Sequence, residues 1–479
     1  MKPWIFIVAL ATSALGANPP RVITVGSKTF TESYILAEII AQVIESVGEA
    51  TVNRKYGLGG TGIVFSALAH GEIDIYPEYT GTIIESILGS RPLTSLKSQG
   101  IWMSASLGFN NTYALAVRKD FAKKYGLQKI SDLTRVPNIR IGFSHEFMKR
   151  PDGYPGLLAR YGLDLSNAKP LAHSLAYEAI RQNEIDLTDI YSTDAKIQKL
   201  DLLVLQDDKK LFPDYFAVLL ARHELLNQFP KTWAALRSLE NQIRAEKMIG
   251  LNGMADIDRK DFREIAETFL GKTAHQDNSE DWVTTFLKLT RQHFFLVGFS
   301  LLVAILLGLP LGILSTRFKF FGQAILTVSS LLQTIPSLAL LCFLVPLFGI
   351  GLLSALVALL LYGLLPIVTG VYTGIKGIDP RLTESASALG LTPLQRLRFV
   401  DLPLASRSIL AGIRMSAIIG IGTATLAALI GAGGYGVPIV TGLALNDMNM
   451  ILTGAIPAAL MALLAHLLFE RLDRLLIRS

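Results

Sequence analysis

Residues 293–316 read HFFLVGFSLLVAILLGLPLGILST, twenty-four consecutive positions without a Lys, Arg, Asp or Glu. A helix of about 20 such residues crosses the hydrocarbon core of a bilayer. Further apolar segments follow at roughly 323–347, 353–375, 409–431 and 450–469, so about five transmembrane helices are predicted. Pro310, Pro336 and Pro366 interrupt them. A membrane helix tolerates this where neighbouring helices supply partners for the freed backbone groups.

Outward from this stretch the chain divides by charge. From Trp282 to the C-terminus there are 13 Lys+Arg and 6 Asp+Glu in 198 residues, whereas the first 281 residues hold 32 and 33. The averages of 51% hydrophobic, 18% charged and mean hydropathy +0.42 therefore blend a conventional globular part with an apolar one. They exclude a disordered chain, and the net charge of +6 belongs to the apolar half, which points to a lipid bilayer and not to nucleic acid. If the first part is exported, five crossings leave the C-terminus inside. All eleven Lys and Arg after Thr316 then fall on the cytoplasmic side, and the external loops near 348–352 and 433–448 hold none. The single cysteine, Cys342, excludes a disulfide framework and any multi-cysteine metal site. No His or carboxylate spacing suggests a metal, and no cofactor is expected.

The N-terminus supports export. Lys2 precedes an apolar run from Trp4 to Leu15, and Gly16-Ala17-Asn18-Pro19-Pro20 follows. This reads as a signal peptide over 1–17, with an uncleaved anchor as the alternative. From Arg21 to about Gly271, strand-like runs (Val22–Gly26, Ile73–Tyr76, Tyr113–Val117, Ile139–Phe143, Asp201–Leu205) alternate with amphipathic helical stretches. Thr31 or Ser33 is the expected cap of a helix over Tyr34–Val47. The alternation predicts an α/β fold with mainly parallel sheets, and some 250 residues suffice for two lobes. Residues 273–292 read as a linker. Gly271-Lys272-Thr273 is no phosphate loop, because Ala266 stands where the spacing demands glycine.

Between the third and fourth crossings, Glu384-Ser385-Ala386 is followed by Gly390 and then Val400-Asp401-Leu402-Pro403. Small residues around a glutamate suit a helix docking into a groove, or a solvated loop with one helical turn. The spacing resembles the cytoplasmic coupling-loop motif of ABC importer permeases, over about 293–470. That resemblance implies a permease domain whose Glu384, Ala386 and Gly390 sit in a cleft of a separate ATPase subunit, with Pro403 setting the approach of the next helix. One coupling loop and about five crossings per chain further imply a homodimer. The chain itself is expected to have no catalytic residues.

The exported half holds Gly26-Ser27-Lys28-Thr29-Phe30-Thr31-Glu32-Ser33, Gly57-Leu58-Gly59-Gly60-Thr61, Glu72-Ile73-Asp74-Ile75-Tyr76-Pro77-Glu78-Tyr79-Thr80-Gly81-Thr82, Asn110–Leu115 and Tyr191-Ser192-Thr193-Asp194. Loops at strand ends line the crevice of open α/β sheets. Gly59-Gly60-Thr61 can present amides to an anion or be only a turn. Lys28 can approach a carboxylate or cover surface. Tyr79, Tyr113, Tyr191 and Tyr215 each suit half-buried packing, but together they can hold a quaternary ammonium group by cation–π attraction.

These stretches resemble the periplasmic osmoprotectant-binding proteins for glycine betaine, choline and carnitine, over about 21–272. The resemblance implies a type II periplasmic-binding-protein fold, an aromatic cage from Tyr79, Tyr113, Tyr191 and Tyr215, and a polar contact from Thr82. Lys28, Thr61 and Asp194 join the expected substrate-binding residues. Ser33 stands where the family often has a glutamine that meets the ligand carboxylate, which brings ergothioneine forward as a competing ligand. His173, His223 and His275 read as surface or core histidines. The expected protein is thus a two-lobed α/β binding domain followed by an all-α permease of about five helices. A membrane-bound ligand sensor is the alternative, but it would need a cytoplasmic effector domain and leaves the coupling motif without a role.

Overall fold

The computed structural model describes residues 21–272 and 282–478, apart from positions 90, 164, 166 and 446. The expected signal peptide and most of the polar part of the linker lie outside the described residues. Ten strands are seen among them: β1 Val22–Gly26, β2 Thr51–Lys55, β3 Ile75–Tyr79, β4 Ile101–Met103, β5 Tyr113–Arg118, β6 Ile141–Ser144, β7 Lys169–Leu171, β8 Leu187–Tyr191, β9 Leu202–Leu205 and β10 Ala217–Arg222. They form two five-stranded sheets, ordered β2-β1-β3-β10-β4 and β7-β6-β8-β5-β9. Each sheet with its helices is one lobe. The chain passes from the first lobe to the second between β4 and β5, and returns between β9 and β10.

The expectation of mainly parallel sheets is half right. β1 pairs in parallel with β2 and β3, and β6 with β7 and β8. The strands that follow each crossing, β5 and β10, run antiparallel to both of their neighbours. A strand entering a sheet from the other lobe arrives by a short connection, not through the helical crossover that parallel pairing requires. The two crossing segments are tied together. Asn110 bridges Phe216, its amide group donates to Asp214 at 2.9 Å, and its side-chain oxygen accepts from the Tyr215 amide at 2.8 Å.

Helix Thr31–Val47 is buried along most of its length and is wrapped by helices 230–237, 245–256 and 262–269. It starts earlier than expected, with Phe30 at the cap position and no side-chain cap. Ser33 turns inward instead, and its hydroxyl accepts from the Lys28 amide at 2.9 Å.

In the membrane half, helices Trp282–Arg317, Leu352–Lys376, 393–424 and Met448–Leu475 are long and apolar enough to span a bilayer. The expected crossing at 323–347 is a broken pair, 322–334 and 337–348, bent by 101°. The cause is local. Pro336 has no N–H and forces Ile335 out of the helical region, to φ −69° and ψ 124°. The third span repairs the break, since Tyr362 donates its hydroxyl to the Ile335 carbonyl and accepts from Gln333 at its own carbonyl, 2.9 Å away. The crossing expected at 409–431 ends at Ala424, and a 3₁₀ turn over Leu426–Ile430 follows. A ten-residue helix, Gly436–Leu445, occupies what the sequence suggested was an external loop.

Small residues let the central helices approach closely. A Cβ on Gly370 would lie 2.7 Å from the Ser408 carbonyl, and one on Gly412 would lie 2.4 Å from that of Pro366. The first lobe rests on this bundle: Ile350 and Val345 pack into a core with Leu58, Val64 and Leu68. Arg407 pairs with Asp473 at 3.6 Å, so the C-terminal end of the last helix lies beside the end of the bundle that carries residues 380–401.

Candidate functional site

Between the sheets lies a cleft of about 310 Å³. Of the residues expected to bind substrate, Lys28, Tyr79, Thr82, Tyr113, Tyr191, Asp194 and Tyr215 line it, and Ser33 and Thr61 do not. Ser33 is fully buried with its hydroxyl committed to the Lys28 amide, so the expectation that it contacts substrate is corrected. Thr61 is the first residue of helix Thr61–Ala69, and its place at the wall is taken by Gly59 and Gly60. There the lobes nearly touch: a Cβ on Gly60 would lie 2.5 Å from Oε1 of Glu146.

The tyrosines converge because the sheet register puts them there. Tyr113 at the start of β5 is directly opposite Tyr191 at the end of β8, with ring centroids 5.2 Å apart. Tyr215, on the returning crossing segment, stands edge-on to Tyr113 at 5.6 Å. Phe30 links the other side, 5.5 Å from Tyr191 and 6.1 Å from Tyr79. Its place beside Lys28-Thr29 in a strand-end loop was the signal for it, but the tyrosines alone had drawn attention.

Resident charges hold these rings in place. Lys28 pairs with the fully buried Glu78 at 2.5 Å and lies 5.6 Å from the Tyr79 ring centre. Its charge is thus matched inside the first lobe. Arg150, which sequence reasoning missed, pairs with Asp152 at 2.5 Å and lies 5.4 Å from Tyr113 and 5.9 Å from Tyr215. It is also 3.5 Å from the Thr82 hydroxyl across the cleft. The Tyr215 hydroxyl donates to Asp152.

Glu32 is the second residue without a role in the sequence reading. Its carboxylate accepts from Tyr79 at 2.6 Å, Asn111 at 2.9 Å, Thr193 at 2.6 Å and Asn252 at 3.0 Å. Burial pushes its pKa up, and the four hydrogen bonds oppose that shift. Tyr79 belongs to the first lobe and Thr193 follows β8 in the second, so this carboxylate ties the lobes together. An unpaired buried carboxylate is costly without such a set of donors.

His173, expected to be a surface or core histidine, lines the cleft. Its ring lies 4.3 Å from that of Tyr191, its Nε2 is 2.9 Å from Asp194, and its buried Nδ1 has no protein partner. Asp194 accepts as well from the Tyr177 hydroxyl at 2.6 Å and the Tyr191 amide at 3.0 Å. Burial raises the Asp194 pKa, but His173 and these hydrogen bonds outweigh it and hold the carboxyl below its usual range. Burial lowers His173, but Asp194 outweighs it, so the imidazole titrates above its usual value despite Lys196 nearby. Stabilisation from His173 is therefore complete below the ordinary imidazole pKa and is lost as pH rises through the raised one. That from Asp194 is present above the ordinary carboxyl pKa and is lost as pH falls through the lowered one. Thermal unfolding of the chain in nanodiscs is expected to show a midpoint that falls from about pH 6 to about pH 8, and His173→Gln should flatten that slope. An unchanged slope in the variant would refute the assignment.

At the other end of the membrane bundle, Asp379 caps helix Pro380–Ala388 by accepting from the Arg381 amide at 2.9 Å. Glu384 is exposed on this helix and Ala386 is buried. Gly390 ends the turn at φ +81°, a left-handed conformation that suits glycine. Thr392 and Gln395 then cap each other across the next turn, and Pro403 stands at the start of helix Leu402–Ala424. Leu382, Leu389, Leu394 and Phe399 are exposed around the segment.

A two-lobed cleft walled by aromatic rings and joined to a helical membrane bundle defines a binding protein fused to its membrane component. The chain belongs to the family described as the substrate binding domain of ABC-type glycine betaine transport system, whose model matches residues 21–272, and it continues into a binding-protein-dependent transport system inner membrane component over residues 305–479. It is similar to the Helicobacter pylori (strain G27) ergothioneine transport permease/ergothioneine binding protein EgtU, 33% identical over 56% of this chain and 51% of that protein. The chain therefore spans about half the length of that relative. The carnitine transport binding protein OpuCC of Listeria monocytogenes serotype 1/2a (strain 10403S) is 33% identical over 56% of this chain and 92% of its own. The glycine betaine/carnitine/choline transport system permease protein OpuCB of Bacillus subtilis (strain 168) is 42% identical over 36% of this chain and 81% of its own.

Proposed function

We propose that this chain is the substrate-binding and permease component of an ATP-driven importer for a quaternary-amine compatible solute such as choline, glycine betaine or carnitine. The observation that carries this reading is the meeting of Tyr79, Tyr113, Tyr191 and Tyr215 around one small cleft. A methylated ammonium head donates no conventional N–H hydrogen bond, so ring faces suit it better than a carboxylate does. The unpartnered His173 Nδ1 favours a solute with an acceptor at its other end, as a betaine has.

In this reading a separate cytoplasmic ATPase engages Glu384, Ala386 and Gly390. Two copies of the chain form the transporter, and the C-terminus is cytoplasmic along with the coupling segment. Ergothioneine, also a betaine, is the second reading. It is favoured by the likeness to a relative whose name joins permease and binding protein.

The test is calorimetric titration of the full chain in nanodiscs with choline, glycine betaine, carnitine and ergothioneine. One of the four is expected to bind and to exclude the others. Binding of a common amino acid, with none of the four bound, would overturn the quaternary-amine reading.

A further inference from the structure

The substrate cleft is not closed by the binding domain alone. Leu429, Val440, Leu443 and Ala444, all from the membrane half, line it as well. The three last belong to helix Gly436–Leu445. Leu443 is a large apolar residue left 46% exposed, as expected of a side chain at a cleft wall.

The same stretch grips both lobes. On the second lobe, the Ser174 hydroxyl, in the first turn of helix His173–Arg181, donates to the Leu443 carbonyl at 2.9 Å. On the first, Gly431 approaches Leu58 so closely that a Cβ would lie 2.7 Å from its side chain. Arg259, in the turn between helices 245–256 and 262–269 that pack on the first lobe, donates to the Leu445 carbonyl at 3.0 Å and lies 3.8 Å from Asp447. A separate membrane contact, through Ile350 and Val345, anchors the first lobe.

We propose that residues 429–445 of the membrane domain, with Asp447, are a wall of the solute site and a clasp across its two lobes, so that movement of this segment relative to the Ile350 anchor opens the cleft. This rests on the reading of the cleft as the solute site. The chemistry fits, because the methyl groups of a quaternary ammonium accept an apolar neighbour, while a cationic neighbour at this wall would repel the head. The coupling runs both ways: solute that holds the lobes together also holds the segment in place, and displacement of the segment weakens solute binding by the same factor.

The experiment uses the full chain in nanodiscs on a Cys342→Ser background, since Cys342 is free and exposed. Ser174→Cys with Leu443→Cys should be bridged by a short bismaleimide, whereas Lys123→Cys with Leu443→Cys should not. Absence of the first bridge would overturn the clasp. Separately, Leu443→Lys and Val440→Lys should each weaken binding of whichever of choline, glycine betaine, carnitine and ergothioneine binds the parent chain, by about tenfold or more. Bridging with unchanged affinity in both variants would overturn the wall. If none of the four probes binds the parent, the quaternary-amine reading fails while the bridging experiment still decides the clasp.

Discussion

Tyr191→Ala is expected to weaken solute binding by about thirtyfold or more, the equivalent of one desolvated cation–π contact of about 2 kcal/mol. Tyr191 is the pivot of the proposed cage. Its ring touches Phe30, Tyr113 and His173 at centroid distances of 5.5, 5.2 and 4.3 Å. Truncation removes one face and loosens the three neighbours at once. Tyr79→Ala should also weaken binding, but by a mixed route, because the Tyr79 hydroxyl is one of the four donors to Glu32. Tyr79→Phe separates the two contributions: it keeps the ring and deletes only the donor. Titration calorimetry of each variant in the full chain measures the losses, and unchanged affinity in both alanine variants would remove the cage from the account.

The second large effect is expected at the opposite end of the molecule. Glu384→Ala or Gly390→Val should cut solute uptake by about tenfold or more while leaving solute affinity intact. Glu384 is exposed, so its loss costs the fold little. Gly390 at φ +81° is different, since a β-branched residue there strains the turn that aims the segment. The exposed Leu389 and Leu394 beside it suit an apolar partner surface. Uptake into proteoliposomes holding the chain and its ATPase, read beside binding to the same preparation, separates the two steps. Loss of binding together with uptake would count against a coupling role.

Much of the fold was legible in the sequence, and the misreadings have definite causes. Five of the ten strands, β1, β3, β5, β6 and β9, followed from β-rich runs between turns, and β1 fell where expected. The direction of β5 and β10 did not, because it depends on which lobe the chain has just left. The broken second crossing was signalled by Pro336, but its tolerance depends on Tyr362, on another helix, whose hydroxyl meets the Ile335 carbonyl. At the site, the tyrosines were named from their motifs. Arg150, Glu32 and His173 were not given their roles, since their places in the cleft depend on residues far along the chain: Glu32 and Thr193 are 161 positions apart, and Arg150 and Thr82 are 68 apart. Ser33 was carried over from the family's glutamine position, but its shorter side chain turns inward and accepts from the Lys28 amide.

By itself the sequence determined which segments leave water for lipid, where the cations gather, and which residue types were on offer for a cage. These are local properties, because the cost of placing a charge in hydrocarbon is set by the residue and its immediate neighbours. Only the tertiary structure decided that Tyr113 and Tyr191 face each other, that Glu32 joins two lobes, and that Leu443 of the membrane half reaches the cleft of the binding half. Those depend on sheet register and on lobe closure, which bring together residues scores to hundreds of positions apart and which no local pattern encodes.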